Sequence, residues 1–349
     1  MKRSFADSLH CSVCGRREWD VVVESEDERE IREGKVRCPC GKEYAIHAGI
    51  VDYLDPRDEG LRREVEGWTE LAGPQPDWVA TQMTALPYYP HGIWLEIAPD
   101  FFQIFEHFNF KGKKVVDLGA GRSWSSRHIM SVGGAAELVA MDVLIQKYLG
   151  LETSDIFFFD DTTYFERVRA DLHRMPLSSE WADVIFSCAS LHHSSDLAAV
   201  YREVDRVLRP GGHLIFIAEP SKKASIETNQ PQNAETAHGI NEHIYSYSEW
   251  IRPLKERGYR IRRLTPRSIR YRLVYLNEDF QKNVPLLLRP LTRSERGHNV
   301  LERLLRSRWT GPLLYRVWTL PLTVIAQKRG MTRAQRGTAG KRGVISDLT

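Results

Sequence analysis

A ten-residue run, 113–122, limits the fold of this chain more than any other stretch. It reads Lys-Lys-Val-Val-Asp-Leu-Gly-Ala-Gly-Arg, so a short β-branched strand ends near Asp117. The loop that follows consists of Gly119, Ala120 and Gly121, and a helical segment comes next. Because glycine has no Cβ, such a loop turns tightly and brings its backbone close to a ligand. The run therefore predicts an α/β fold with a nucleotide-type site at the carboxyl end of its first strand.

A second strand pattern, 136–141, ends in Asp142, 25 residues after Asp117. An acidic side chain at this place can accept hydrogen bonds from both hydroxyls of a ribose. The glycine loop does not match the Gly-x-Gly-x-x-Gly pattern of dinucleotide sites, because Trp124 stands at the third position. It also lacks the Gly-Lys-Ser/Thr of a phosphate-binding loop. These differences favour a nucleoside ligand of another class.

Two more strands continue the pattern. The strand near 166–170 ends in Asp171 and Leu172, where a carboxylate and an apolar neighbour suit an adenine ring. The next strand, within 181–188, is predicted to form the floor of the pocket, with Ser187 as a candidate contact. Since the carboxyl ends of parallel strands meet at one edge of a sheet, all of these residues are expected around one site.

In this order the elements resemble the class I S-adenosylmethionine-dependent methyltransferases, especially the type 11 group that acts on small molecules. The resemblance is close over residues 113–220 and resumes at two later strands, 259–264 and 322–327. It implies an α/β fold with a Rossmann-like, seven-stranded, mostly parallel sheet and flanking helices. It also implies S-adenosylmethionine as the cofactor.

The resemblance assigns roles to the residues of the predicted site. The glycine loop after Asp117 would hold the methionine part of the cofactor, and Asp142 would hold the ribose. Asp171 and Leu172 would hold the adenine ring, with Ser187 in the pocket floor. The resemblance alone carries these roles.

Four cysteines near the start of the chain form a second motif. A Cys-x-x-Cys pair, Cys11 and Cys14, is followed by a Cys-x-Cys pair, Cys38 and Cys40. Four thiolates from two tight turns can complete a tetrahedral Zn²⁺ site, although the second pair is one residue shorter than usual. A metal-free or redox pair is the alternative, and disulfides are disfavoured without a secretory signal. The fifth cysteine, Cys188, lies in an apolar strand and is expected in the core.

The cysteine region also bears on domain organisation. Residues 36–50 resemble the end of the zinc-ribbon domains that accompany many methyltransferases. The predicted division has a zinc ribbon, a helical linker that covers the cofactor, a methyltransferase domain with a basic insertion at about 265–320, and a disordered tail. Their bounds are 1–56, 57–112, 113–329 and 330–349. No leader pattern or spanning run of about 18 apolar residues occurs, which predicts a cytoplasmic protein, with peripheral membrane contact as an option.

The charge of +3 conceals an asymmetry along the chain. From Ile251 onward there are 23 Lys and Arg against 6 Asp and Glu, whereas the first 250 residues hold 26 and 40. A basic third of this kind suits an anionic partner such as RNA, an acidic membrane surface or a phosphate-bearing substrate. The alternative is that it balances the acidic front part within the molecule or an oligomer. The oligomeric state is left open.

The basic insertion contains a predicted amphipathic helix, 299–309. Its apolar residues recur at helical spacing, and Arg303 and Arg306 lie elsewhere on its surface. A basic segment rich in Leu and Trp can rest on an anionic bilayer. It can also cover an apolar substrate or pack on the core as an ordinary lid. All three interpretations stay open from the sequence.

Candidate catalytic residues are histidines that follow the fourth strand. An oxygen acceptor needs a base, and the pKa of histidine suits that role near neutrality. His192 and His193 come directly after the strand, and His243 lies in a later loop at the same edge. The alternative for each is a loop histidine without a chemical role.

Three functions are compatible with this sequence. The favoured one is methyl transfer from S-adenosylmethionine to a small-molecule or lipid-linked acceptor. The second is an RNA base methyltransferase that uses the ribbon and the basic third for RNA binding. No Asn/Asp-Pro-Pro-Tyr/Phe motif follows the fourth strand, which argues against amino methylation of nucleic acids. The third is a cofactor-binding partner that has lost turnover.

Overall fold

A computed structural model describes residues 1–76, 79–90, 92–158, 160, 162–226, 230–275 and 283–330. The predicted tail, 330–349, lies outside these residues except for Gly330, and so does part of the basic insertion, 276–282.

Within the described residues, twelve strands form one mixed sheet. In chain order they are β1 (Asp20–Glu26), β2 (Ile31–Arg37), β3 (Glu43–His47), β4 (Ile50–Asp52), β5 (Lys114–Leu118), β6 (Glu137–Asp142), β7 (Glu166–Arg169), β8 (Ala182–Cys188), β9 (Leu208–Lys222), β10 (Tyr245–Ser246), β11 (Arg260–Leu264) and β12 (Leu320–Gln327).

The central part of the sheet has the spatial order β7-β6-β5-β8-β9-β12-β11. The strands from β7 to β9 are parallel, and β12 runs antiparallel to both β9 and β11. The chain moves from β5 to β6 on one side and returns to β8 on the other. Strand order therefore reverses beside β5, and ligands of open α/β sheets bind at such a reversal.

Strands near the N-terminus extend this seven-stranded central part, so the described sheet has more strands than the seven predicted. Strands β1 to β4 form an antiparallel ribbon, and β4 then pairs in parallel with β7, with Ile50 opposite Arg167. Without β4, the edge of β7 would present unpaired N–H and C=O groups. The ribbon satisfies these groups, so its strands extend the central sheet.

Helices cover both faces of the sheet. They are α1 (Glu59–Ala72), α2 (Val79–Ala85), α3 (Trp94–His107), α4 (Trp124–Ser131), α5 (Leu197–Val207), α6 (Ala234–Ala237), α7 (Tyr247–Glu256), α8 (Ser268–Val274), α9 (Glu295–Arg306) and α10 (Thr310–Val317). Short 3₁₀ helices span Arg3–Ser8, Leu151–Phe157, Leu191–His193 and Leu286–Arg293.

The two faces of the sheet bury two separate apolar layers. Side chains alternate between faces along a strand, so Ile185 of β8 packs in one layer and its neighbours Val184 and Phe186 in the other. Helices α5 and α7 cover the first layer, and α3 and α4 cover the second. Parallel strands covered on both faces are largely apolar, which explains the apolar run of Val184, Ile185 and Phe186 in the middle of β8.

The basic insertion packs against the first layer. Leu301, Leu305, Tyr315 and Trp318 are fully buried there. The amphipathic pattern predicted for 299–309 corresponds to α9, which starts four residues earlier because Ser294 caps it through the N–H of Gly297, at 3.1 Å. One face of the insertion is therefore part of the core.

Candidate active site

A cleft of about 410 Å³ opens at the carboxyl ends of β5, β6, β7 and β8. Most of the residues predicted for the cofactor and for catalysis line it, namely Gly119, Ala120, Gly121, Asp142, Asp171, Leu172, His192 and His193. Three other predicted residues, Asp117, Ser187 and His243, do not line the cleft. Most of the residues that the sequence motifs predicted therefore lie together around one cleft.

The glycine loop is held against the end of β6. The N–H groups of Gly119 and Ala120 donate to the carbonyl of Met141 at 2.8 and 3.0 Å. Gly119 has φ +72°, which L side chains rarely adopt, and a Cβ there would overlap Ser190 Oγ. Only glycine fits at this position, and the close approach of the strand ends depends on it.

Asp142 accepts hydrogen bonds from the loop and keeps further lone pairs that can accept hydrogen bonds from a ligand in the cleft. Its Oδ2 accepts the N–H of Gly121 at 2.7 Å, and its Oδ1 accepts that of Leu144 at 2.8 Å. Burial raises the pKa of this carboxyl, while the backbone N–H groups oppose the shift. A carboxylate offers about four lone-pair positions, so two remain for the hydroxyls of a ribose.

Asp171 belongs to a hydrogen-bonded chain that sequence reasoning missed. Its Oδ1 lies 2.6 Å from Nδ1 of His173, and Nε2 of that histidine lies 2.8 Å from Ser194 Oγ. Asp171 and His173 line the cleft, whereas Ser194 is fully buried. The chain ties the end of β7 to the loop after β8 and fixes the Asp171 carboxylate. The Asp-x-His spacing was its only sequence signal.

Asp117 lies beneath the cleft and supports the start of α4. It is 1% exposed, and its Oδ2 accepts the hydroxyls of Ser125 and Ser126, both at 2.6 Å. Burial raises the pKa of Asp117 to about 6. Its Oδ1 and the hydroxyl of fully buried Ser187 find no hydrogen-bond partner among the described residues. These orphaned polar atoms under the floor are compatible with a polar ligand or water above them.

His192 is oriented by a buried carboxylate that the sequence analysis did not identify. Glu219 on β9 is fully buried, and its Oε2 accepts Nδ1–H of His192 at 2.7 Å. Its Oε1 accepts the N–H groups of Ser190 and Leu191, both at 3.0 Å. Burial alone would lower the pKa of His192, but the Glu219 charge outweighs it and raises the pKa. The proton on Nδ1 leaves the lone pair on Nε2.

His193 and His243 have different environments. Nδ1 of His193 donates to the carbonyl of Asn241 at 2.6 Å, and burial lowers the pKa of His193 to about 3. His243 lies outside the cleft, and its ring stacks on that of Tyr245. Of the three predicted histidines, His192 therefore has the carboxylate partner and raised pKa that suit a base.

His192, His193 and Glu242 place three donor atoms within 4.8 Å of one another, which raises the question of a metal site. Glu242 Oε2 lies 3.6 Å from Nε2 of His192 and 3.4 Å from Nδ1 of His193. However, Nδ1 of His193 carries the proton that it donates to Asn241, so it has no lone pair for a cation. We interpret the group as a cluster of charged and titratable side chains beside the cleft.

The roof of the cleft is formed by α1 and by the segment around α6. Glu64 of α1 accepts the N–H of Asn241 at 2.7 Å and the indole N–H of Trp68 at 3.1 Å. Burial raises the pKa of Glu64 to about 7. The Trp68 ring meets His193 edge-on at 5.3 Å. No described residue of the basic insertion lines the cleft, so the described part of that segment does not cover it.

The four N-terminal cysteines come together as a cluster. Sγ of Cys11 lies 3.7 Å from Sγ of Cys40, and Sγ of Cys14 lies 3.5 Å from Sγ of Cys38. All four sulfurs lie within 4.8 Å of one another, and none is in a disulfide. Sulfurs around a tetrahedral Zn²⁺ ion with bonds of about 2.3 Å are about 3.8 Å apart. Cys188 is remote from the cluster, in β8.

Comparison with known proteins was made against this geometry. Residues 116–216 match the family model described as "Methyltransferase domain". The malonyl-[acyl-carrier protein] O-methyltransferase of Legionella pneumophila is 25% identical over 150 residues, which are 43% of this chain and 51% of that protein. The 27-O-demethylrifamycin SV methyltransferase of Amycolatopsis mediterranei is 28% identical over 153 residues, with 42% and 54% covered. The chain thus spans about half the length of these relatives.

A solved structure shares the fold. It is phosphoethanolamine N-methyltransferase 2 of Haemonchus contortus, in complex with phosphomonomethylethanolamine and S-adenosylhomocysteine. The likeness has a TM-score of 0.50 at 14% identity and covers 79% of this chain and 62% of that one. Among the helices described here, none has the length and apolar character that crossing a membrane requires. The family match and the relatives that are named as methyltransferases show that the chain contains an S-adenosylmethionine-dependent methyltransferase domain within residues 116–216.

Proposed function

We propose that the whole chain transfers a methyl group from S-adenosylmethionine to a small-molecule or lipid-linked acceptor. The observation that carries this proposal is the convergence of the glycine loop, Asp142 and Asp171 with Leu172 on one cleft at the point where strand order reverses. The relatives are named for an acyl-carrier-protein-linked acceptor, a rifamycin and, in Aspergillus fumigatus, a sterol. These names favour small or lipid acceptors over RNA.

The residues present fit the cofactor. The loop at Gly119 leaves backbone close to the cleft, because a Cβ is absent where one would overlap Ser190. Asp142 keeps two acceptor positions for ribose hydroxyls, and Asp171 is held by His173 in an orientation suited to the amino group of adenine. S-adenosylmethionine supplies an electrophilic methyl group when bound. The chain supplies orientation, which accounts for much of the acceleration of such a transfer.

We propose His192 as the general base for an oxygen acceptor. Glu219 fixes its tautomer, so that Nε2 is the atom that takes the acceptor's proton. The same carboxylate stabilises the imidazolium that forms, as in other carboxylate–histidine pairs. His193, which is held neutral, would serve to shape the rim beside Trp68. Glu64 and Glu242 add acidic character to the acceptor end of the cleft.

We also propose that Cys11, Cys14, Cys38 and Cys40 bind one structural Zn²⁺ ion. The sulfur–sulfur distances of 3.5 and 3.7 Å support four-coordinate binding, and the site has no open position for catalysis. In this proposal residues 1–56 form a ribbon module, 57–112 cover the cofactor through α1 to α3, and 113–329 form the catalytic domain.

The experiment that tests the proposed function uses methyl-labelled S-adenosylmethionine and fractionated cell extract. We expect label in the organic-soluble or the small polar pool. Asp142→Ala serves as the matched variant, because loss of the carboxylate removes both loop hydrogen bonds and the ribose acceptors. It should retain its far-UV circular dichroism and transfer no label.

Three outcomes would contradict the proposal. Ribonuclease-sensitive label in the RNA pool would replace it with RNA methylation. Tight cofactor binding without transfer to any pool would identify the chain as a cofactor-binding partner. Equal cofactor binding by Asp142→Ala and the unaltered chain would reject the site as assigned.

A further inference from the structure

The basic insertion has an outer face that the methyltransferase function does not use. Its inner face is buried in the first apolar layer through Leu301, Leu305 and Tyr315. This packing fixes the orientation of α9 and α10, so their opposite sides are presented to solvent. None of the insertion's described residues lines the cleft.

Large apolar side chains lie on that outer face. Trp309, directly before α10, and Leu313 and Val317 within it recur at intervals of four residues, so they share one side of the helix. They are 71%, 57% and 52% exposed. Leu286 and Leu287, on the 3₁₀ helix that contacts α9, are 74% and 91% exposed. Soluble monomers rarely expose this much bulky apolar surface unless it binds something.

Positive charge surrounds these side chains. Residues 283–330 contain nine Lys and Arg but two Glu. Both glutamates are paired: Glu295 with Arg270, and Glu302 with Arg270 and Arg306. Five arginines of the insertion have no acidic partner among the described residues, namely Arg293, Arg296, Arg303, Arg308 and Arg316.

Exposed apolar surface and positive charge occur together at Trp309. The guanidinium of Arg308 lies over its ring, 4.6 Å from the centroid. Tryptophan and arginine side chains, each with an apolar body and a polar end, are suited to the boundary between lipid headgroups and acyl chains. Stable binding to a bilayer takes two signals, and here exposed apolar groups and unpaired cations supply both.

We propose that the outer face of the insertion, residues 286–317, docks the protein on an anionic lipid bilayer. An RNA backbone would engage the arginines but would leave Leu287, Leu313 and Val317 in water. A bilayer with acidic headgroups accommodates the aliphatic side chains and the cations together. The positive charge and the exposed aliphatic side chains together favour an anionic bilayer over RNA as the binding partner of this face.

The test is flotation of the full chain with vesicles of phosphatidylcholine, with or without phosphatidylglycerol. Binding is expected only with phosphatidylglycerol, and it should weaken as salt is raised. Arg303→Gln/Arg316→Gln should reduce partitioning about 30-fold, from about fivefold for each basic residue. Trp309→Ser/Leu313→Ser should also release the protein. Val132→Ser/Lys111→Gln, which alters one exposed apolar and one exposed basic residue elsewhere, is the matched control and should bind normally.

Each other result overturns the proposal. No binding, or equal binding to both vesicle types, removes the anionic bilayer as occupant. If the arginine variant instead loses affinity for a structured RNA and the vesicles never bind, the face is an RNA surface. If sedimentation velocity shows a dimer that Trp309→Ser/Leu313→Ser dissociates, the face is a contact between two copies of the chain. Vesicle binding needs no turnover, so these results do not depend on the proposed methyl transfer.

Discussion

At the scale of single residues, the cleft depends on a few side chains with two tasks. Each accepts hydrogen bonds from backbone N–H groups and also supports a group that is expected to contact the ligand. Asp142 anchors two loop N–H groups while it keeps acceptor positions open. Glu219 receives N–H groups of Ser190 and Leu191 and the ring N–H of His192. Because these carboxylates are already engaged, binding a ligand requires little rearrangement. The site is preorganised in the sense that benefits transition-state stabilisation.

The first prediction concerns Gly119. Gly119→Ala should abolish cofactor binding, because its Cβ would overlap Ser190 Oγ and displace the loop after β8. Gly112→Ala is the matched control, since Gly112 has a similar φ of +70° with nothing near its Cβ position. Both variants carry the same backbone strain of about 1 kcal/mol. Calorimetric titration with S-adenosylmethionine measures the difference, and equal affinities would show that the overlap is harmless.

The second prediction concerns the base. His192→Ala should lower kcat about 100-fold or more. A base acts when deprotonated, so the rate should rise with pH through an ionisation above the usual value for histidine, because Glu219 raises the pKa of His192. Glu219→Gln removes this charge and should move the rising limb to lower pH. His243 lies outside the cleft, so His243→Gln should leave the pH dependence of the rate unchanged. A shifted pH dependence in this variant would identify His243 as the base instead.

At the scale of elements, strand ends and turns bring the functional groups together. The parallel strands β5 to β8 end at one edge, which is why motifs 25 residues apart in sequence meet in one cleft. The cysteine cluster likewise forms where two turns that are distant in the sequence meet. A turn near the start of the chain and the turn between β2 and β3 carry two sulfurs each.

The third prediction concerns this cysteine cluster. Elemental analysis of the protein purified under reducing conditions should return about one Zn²⁺ per chain. Cys14→Ser/Cys38→Ser should lose the ion and lower the unfolding temperature, because the metal joins the two turns. Cys188→Ser changes a cysteine of β8 remote from the cluster and should keep the ion. A metal-free native protein would leave the four thiols as a structural or redox group.

At the scale of the whole molecule, a buried ion pair helps to unite the ribbon and the catalytic sheet. Arg167 of β7 is fully buried and pairs with Glu30, which precedes β2, and with Asp155. Burial would raise the pKa of Glu30, but the Arg167 charge dominates and lowers it to about 2. Without Arg167, the buried Glu30 carboxylate would keep only the amino group of Met1 and the guanidinium of Arg32 as charged partners, so part of its desolvation cost would no longer be offset. The ribbon and the domain are therefore expected to unfold together.

The fourth prediction tests this coupling. Arg167→Met should lower the free energy of unfolding by about 3–5 kcal/mol. Arg169→Met removes a partly exposed pair with Asp52 at the same junction and should cost about 1 kcal/mol or less. Urea unfolding measures both. The contribution of Glu30 is present above its unfolded pKa of about 4.5 and is lost as pH falls toward 2, so Arg167→Met should flatten this acid dependence. Equal losses in both variants would contradict the buried-pair account.

The sequence by itself determined the local elements and most of the residues that line the cleft. Local patterns predicted β6, β7 and β8 to within one residue of their ends, because these patterns depend on neighbours within a few residues. The glycine loop and the strand-end motifs then predicted six residues that line the cleft, and the histidine pair after β8 predicted two more.

Only the tertiary structure decided the contacts between distant segments. The pairing of β4 with β7 joined the ribbon to the sheet, Glu64 of α1 accepted the N–H of Asn241, and Glu219 distinguished His192 from the other candidate histidines. These contacts link residues that are 27 to 177 positions apart. No local pattern encodes them, because they form only when packed elements bring buried polar groups within hydrogen-bond distance.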